Sequence, residues 1–164
     1  MNFAAKGSSE WGTGAAMARV RPQSVLFACS FNAIRSPMAE AIAKHLFGRE
    51  VYIASAGVRA GEMDGFAIAV MDEIGLDLTK FRPHTFEDLE DTGFDMIVTL
   101  SPEAHHRALE FTRTMAIDVV YWPTIDPSAA QGTRETMLDA YRAVRDSLSV
   151  RIKELLAWQP PPSF

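Results

Sequence analysis

Cys29 and Arg35 stand six positions apart, and the segment between them, Ser30-Phe31-Asn32-Ala33-Ile34, joins an apolar run to a helical pattern. A cysteine behind an apolar run is ordinarily a small buried hydrophobe. The setting points elsewhere. With 12 arginines and 21 serines or threonines among 164 residues, an Arg-Ser/Thr pair at a fixed offset from a cysteine arises by chance about one time in a hundred. The backbone N–H groups of residues 30 to 35 can turn inward as a nest, and the following helix presents its positive end to the same point. Arg35 adds a planar fork able to hold two oxygens of a phosphate. A thiol held in such a place has its ionised form stabilised; cysteines at helix N-termini fall from about 8.5 to between about 3.5 and 7.5. One loop thus binds a tetrahedral oxyanion and aims a thiolate at its central atom. That chemistry needs neither metal nor cofactor, and the sequence holds no convincing metal cluster.

The elements around the loop read as alternating strands and helices. Val25-Leu26-Phe27-Ala28 is continuously apolar, as a strand buried on both faces requires. Pro37 to Phe47 reads as a helix with Ser36 as N-cap, Pro37 at the first position and Gly48 at the stop. Val51 to Ala54 is the second strand, followed by a helix from Gly65 to Ile74 capped by Asp64 and ended by Gly75. Thr85 and Asp88 form a capping box for a shorter turn. Met96 to Leu100 is the third strand, and Ser101-Pro102-Glu103 opens a helix in the order cap, proline, acid. Ile117 to Tyr121 is the fourth strand. The last helix runs from Thr133 to Trp158 with an apolar stripe of Met137, Tyr141, Val144, Leu148, Ile152 and Leu155. Four strands separated by helices predict an α/β fold: right-handed crossovers, three αβα layers and a small four-stranded parallel sheet of flavodoxin-like type. Ligands of such sheets bind beyond the carboxyl ends of the strands, where Cys29 falls.

Taken together, Val25-Leu26-Phe27 before Cys29, Asn32, Arg35-Ser36-Pro37-Met38-Ala39-Glu40, Ser55-Ala56-Gly57, Gly75-Leu76-Asp77, Phe94-Asp95 and Asp126-Pro127 carry a resemblance. The sequence resembles the low-molecular-weight protein tyrosine phosphatase family, whose fold is shared by one class of arsenate reductases. The resemblance covers nearly the whole body. It implies Cys29 as nucleophile and Arg35 as phosphate and transition-state clamp. It further implies Asn32 as holder of a strained loop, Ser36 as hydrogen-bond partner of the thiolate, and Asp126 as general acid and then base. Asp-Pro before a helix is also a common turn signal. Its place after the fourth strand sets Asp126 on the rim that carries Cys29. Four positions depart from the family pattern: Phe31 replaces a glycine, Ile34 a second loop cysteine, and Ser128 a tyrosine. Phe81 stands where a histidine often buttresses the loop asparagine, with His84 placed to substitute.

Composition bounds the rest. The chain carries a formal charge of −5, which excludes the global basic field of nucleic-acid or membrane binders, and no apolar stretch approaches the roughly 18 residues of a membrane span. A single cysteine excludes an intrachain disulfide and suits a reducing cytoplasm. Residues 1–23 read as a flexible leader without a secretory h-region, in which Lys6, Arg19 and Arg21 against Glu10 leave a weak organelle-transit reading. Residues 24–158 form the phosphatase-like domain, and 159–164 a frayed tail. Gly12-Thr-Gly14 lacks the strand and third glycine of a dinucleotide loop. His105-His106 read as solvated helix surface, His45 as a last-turn dipole partner, and Glu87 to Asp91 as a solvated acidic face. Trp122 is placed either to line the substrate mouth or to pack.

The expectation is a cytoplasmic phosphatase acting on phosphotyrosine proteins or small aryl phosphates through a phosphocysteine. Cys29, Arg35 and Asp126 are catalytic, and Ser30, Phe31, Asn32, Ala33, Ile34, Ser36 and Trp122 bind substrate. The main rival is an arsenate reductase resolved by an external small thiol or glutaredoxin, because the thioredoxin-coupled type uses two further chain cysteines. A non-catalytic oxyanion- or partner-binding module stands third.

Overall fold

Five of the six residues of β1 (Ser24–Cys29) are buried, as a strand covered on both faces must be. In the computed structural model the described residues are 21–157. Residues 22–155 form one unit; the other groups residues 1–21 with 156–164, of which only 21, 156 and 157 are described. Most of the 1–23 leader, Gly12-Thr-Gly14, Trp158 and the 159–164 tail therefore lie outside the described residues.

The chain alternates β1, α1 (Arg35–Phe47), β2 (Tyr52–Gly57), α2 (Gly65–Asp72), β3 (Met96–Thr99), α3 (Pro102–Phe111), β4 (Asp118–Tyr121) and α4 (Arg134–Leu156), with 3-10 turns at Phe86–Asp88 and Pro127–Ala129. The sheet is parallel throughout, in the order β2-β1-β3-β4. Strand order reverses at β1, so its carboxyl end opens into the crevice where α/β sheets bind ligands. The register aligns Cys29 with Gly57, Ala28 with Thr99 and Thr99 with Tyr121, bringing the four strand ends to one rim. On one face Leu26, Ala28, Ala56 and Ile97 pack with Phe86, Phe94 and with Ala104 and Ala108 of α3. On the other, Ser55 bonds to Glu40 of α1, and the Phe27 ring meets Trp122 at 6.2 Å. The expected three-layer αβα arrangement is present. No helix of the described residues is long and apolar enough to cross a membrane.

Local signals held where a cap decides the geometry. Asp64 accepts from the Phe66 and Ala67 N–H groups, Thr85 and Asp88 form their box, and Ser101 accepts from Ala104 N–H ahead of Pro102. Three expectations need correction. Helix α1 starts at Arg35 with Ile34 as an N-cap that makes no side-chain cap bond, so Ser36 is inside the first turn. Its hydroxyl is engaged by Cys29 and Asn32 instead. The buried stripe of α4 runs through Leu138 and Leu156 rather than their half-buried neighbours Met137 and Leu155. A 3.6-residue period leaves adjacent positions on one broad stripe, and packing chooses between them. His105 is not solvated surface: its Nδ1 lies 2.9 Å from Thr99 Oγ1 and its ring stacks on Tyr121 at 4.7 Å. Burial pushes its imidazole below the ordinary histidine range. The acidic face is exposed at Glu87, Asp88, Glu90 and Asp91 as expected, with Glu87 paired to Arg107 and Asp88 in the cap.

Candidate active site

Between β1 and α1 the carbonyls of the loop turn outward. Cys29 O accepts from Val58 N–H at 3.1 Å, Ser30 O from Arg59 at 2.9 Å, Phe31 O from Gly61 at 2.9 Å and Ala33 O from Asp64 at 3.4 Å. Among the described residues none accepts from the N–H groups of Ser30 to Ile34. These donors are left without a partner among the described residues, as the expected nest requires. The turn requires Asn32 in the left-handed region at φ 54°, a conformation that asparagine tolerates better than most residues. It also requires Gly57, because a Cβ there would lie 2.7 Å from Asn32 N and 2.8 Å from Phe31 C.

A buried hydrogen-bonded chain holds the loop from behind. Asn32 Nδ2 donates to Ser36 Oγ at 2.8 Å and to Ser55 Oγ at 3.0 Å, while Asn32 Oδ1 accepts from His84 N–H at 3.0 Å. Ser55 Oγ donates to Glu40 Oε1 at 2.6 Å, and Lys44 donates to the other oxygen of Glu40. Ser36 Oγ lies 2.9 Å from Cys29 Sγ. Since Asn32 already donates to Ser36, the single Ser36 proton is free for the sulfur. The amide therefore stands between two acceptors, the thiol and the Glu40 carboxylate, each reached through a serine hydroxyl. The expected substitution of a histidine ring by His84 does not occur. Its backbone N–H holds Asn32, while its ring nitrogen faces Arg82 O at 3.0 Å.

Cys29, Phe31, Ala33, Ile34 and Arg35 line a cavity of about 300 Å³ together with Asp126. Six of the ten residues expected at the site thus share one cavity. Arg35 is buried and donates to Thr124 O at 3.0 Å, which ties its guanidinium to the segment leading to Asp126. Asp126 Oδ1 accepts from Ser128 N–H and Oγ at 2.9 and 2.7 Å, so the turn role and the pocket position coexist. Of the other expected residues, Asn32 and Ser36 lie behind the loop, and Ser30 Oγ donates to Ser101. Trp122 is not among the lining residues. It packs on Phe27 and under the Arg151 guanidinium, 5.8 Å from the ring. Phe31 is half exposed at the mouth, with Arg59 over its ring at 5.0 Å and Glu103 paired to Arg59.

Sequence reasoning missed two further acids in the cavity wall, Glu62 and Asp64. Asp64 was legible only as a helix cap. A cap that follows a strand of this sheet stands on the same rim as Cys29, which was the available signal. Its second oxygen accepts from Tyr141 of α4 at 3.0 Å. Burial, then the Asp64 contact, drives the Tyr141 phenol well above its ordinary range. Among the described residues no group of three or more His, Cys, Asp or Glu could hold a metal ion.

The model of the family described as low molecular weight phosphotyrosine protein phosphatase matches residues 24–158. The chain belongs to this family. Within it, the chain is 31% identical over 130 residues to an arsenate reductase of Bacillus subtilis (strain 168), covering 79% of this chain and 92% of the relative. Among solved structures it is similar to an arsenate reductase in the phosphate-binding state, at TM-score 0.70 and 27% identity over 82% of this chain and 97% of the other. A low molecular weight protein tyrosine phosphatase from T. tengcongensis matches at TM-score 0.66 and 26% identity, over 81% and 97%. A family of cysteine-based enzymes with one loop thus includes both phosphatases and arsenate reductases.

Proposed function

We propose that this member of the family is a cysteine-dependent phosphatase that hydrolyses aryl phosphate monoesters, phosphotyrosine among them, through a phosphocysteine. The observation that carries the reading is the thiol in the cavity beside a loop whose N–H groups find no other acceptor among the described residues, with Ser36 Oγ 2.9 Å from sulfur. In the first step Cys29 Sγ attacks phosphorus, an S–P bond forms as the P–O bond breaks, and Asp126 gives its proton to the leaving oxygen. Arg35 and the loop N–H groups hold the equatorial oxygens, where charge gathers. In the second step Asp126 takes a proton from water as water attacks phosphorus. Phosphate then leaves and the thiolate is restored. A positioned acid is worth about 10²–10⁴-fold for a poor leaving group.

The arsenate reductase reading is favoured by the named relatives, and one fact limits it. An arsenate adduct on Cys29 must be resolved by a second thiol, and Cys29 is the only cysteine of the chain. Reduction would need an external small thiol or glutaredoxin. A free catalytic thiol suits a reducing compartment, for which we propose the cytoplasm. The test is purified protein with p-nitrophenyl phosphate, against arsenate with added thiol. Aryl phosphate turnover should survive chelator and fall with vanadate. Thiol-dependent arsenate reduction without aryl phosphate hydrolysis would reverse the assignment. A leaving-group series on wild type and Asp126→Asn checks the acid. The slope should steepen in the variant, and parallel lines would reduce Asp126 to its turn.

A further inference from the structure

Resting on the phosphatase reading, we propose that the pocket selects phosphate esters that carry a positive charge on the leaving-group side. Phosphotyrosyl peptides with Lys or Arg beside the phosphotyrosine are such substrates, and Glu62 reads that charge. The floor of the cavity is cationic and donor-rich, with Arg35 and the loop N–H groups. Its wall is the opposite. Glu62 is exposed and has no hydrogen bond or ion pair with any described residue. The Asp64 oxygens are held by neutral donors only, the Phe66 and Ala67 N–H groups and the Tyr141 hydroxyl. Asp126 is likewise held by the Ser128 N–H and hydroxyl.

Several carboxylates elsewhere on the surface hold a cation. Glu73 is clasped by Arg142 and Arg145, Glu87 by Arg107 and Glu103 by Arg59. Arg59, whose guanidinium lies over the Phe31 ring at 5.0 Å, is paired with Glu103, and Arg134 lies over the Phe66 ring at 5.2 Å; neither lines the cavity. Two carboxylates without a cation, Glu62 and Asp64, therefore line an anion cradle in a chain of net charge −5, beside the proposed acid Asp126. A phosphate dianion entering alone meets repulsion at the wall before attraction at the floor. A substrate whose neighbouring group is cationic satisfies both layers at once, in the order in which the cavity presents them. The half-exposed Phe31 adds an aromatic platform at the mouth, so an aryl ester with a flanking cation matches every surface of the cavity. The selective group is Glu62, because Asp64 is committed to the cap of α2 and Asp126 to proton transfer.

Electrostatic selection of this kind has a sign that salt reveals. The full chain would be assayed on p-nitrophenyl phosphate and on two phosphotyrosyl peptides that differ only in Lys or Glu next to the phosphotyrosine, at low and high salt. Wild type should prefer the Lys peptide about tenfold in kcat/KM at low salt, in the range of exposed and partly buried charge pairs. Salt should erode that preference while raising kcat/KM for the Glu peptide. Glu62→Lys should invert the preference. Equal use of both peptides by wild type would overturn the proposal, as would a preference that survives Glu62→Lys. Absence of p-nitrophenyl phosphate turnover would instead sink the phosphatase reading. The charge preference is then read from binding of the same two peptides to Cys29→Ser, where equal affinities would end it as well.

Discussion

Ser36→Ala removes one oxygen from a fully buried position and isolates the contribution of a single hydrogen bond to the nucleophile. Ser36 Oγ is 2.9 Å from Cys29 Sγ and 2.8 Å from Asn32 Nδ2. The asparagine occupies the acceptor side of the hydroxyl, so the proton goes to sulfur. A hydrogen bond to a charged acceptor is worth about 1.5–3 kcal/mol, which corresponds to about 10- to 150-fold less reactive thiolate at mildly acidic pH. The same change leaves one Asn32 N–H without an acceptor in a dry place, at a stability cost of about 1–3 kcal/mol. Alkylation by iodoacetamide reads the effect cleanly because the chain has one cysteine. A second variant separates direction from volume. Asn32→Asp keeps the size but replaces the donor by an acceptor, so Ser36 turns its proton away from sulfur although it is still present. Both variants should be alkylated at least tenfold more slowly than wild type. If Asn32→Asp reacted at the wild-type rate, the proposed direction of the chain from Asn32 to Cys29 would be wrong.

Other outcomes follow from separate parts of the structure. Gly57→Ala places a methyl group 2.7 Å from Asn32 N and 2.8 Å from Phe31 C, backbone that cannot swing aside. Displacement of the cradle should lower kcat/KM on aryl phosphate about 10²-fold, and activity within threefold of wild type would refute the close-approach role. Hydrogen bonds from Arg142, then Arg145, hold the Glu73 carboxyl down at about 2, below its ordinary 4.5. Its stabilisation is complete above about 4.5 and is lost as pH falls toward 2. The melting temperature should decline across that window in wild type, and Glu73→Gln should remove part of the decline. Trp122→Phe should lower the melting temperature yet leave KM for aryl phosphates unchanged, since the ring packs on Phe27; a raised KM would return Trp122 to the mouth. Prolonged peroxide should inactivate the protein beyond recovery by dithiothreitol, because a Cys29 sulfenic acid has no second cysteine in the chain to trap it. Full recovery would point to another protective route.

Local chemistry made much of this molecule readable before any fold was known. The cap at Asp64, the Thr85–Asp88 box and the Ser101-Pro102 start each involve residues within four positions of one another, and all three stand in the structure. The Cys29-to-Arg35 loop was readable for the same reason, as strand, nest and helix start lie within one short segment. Tertiary packing decided what spacing leaves open. Leu138 in place of Met137 on the α4 stripe, and His105 stacked on Tyr121, depend on which neighbour arrives across the core. The same holds for the Asn32–Ser55–Glu40 chain and for Glu62, Asp64 and Asp126 around one cavity. Each set joins residues from different connections, Ser55 with Asn32 and Glu40, and Asp126 with Glu62 and Asp64, and only the parallel register of the four strands brings their ends to a common rim. Local periodicity and caps act over one turn of chain, whereas a binding wall assembled from three crossover connections exists only once the sheet has set their order.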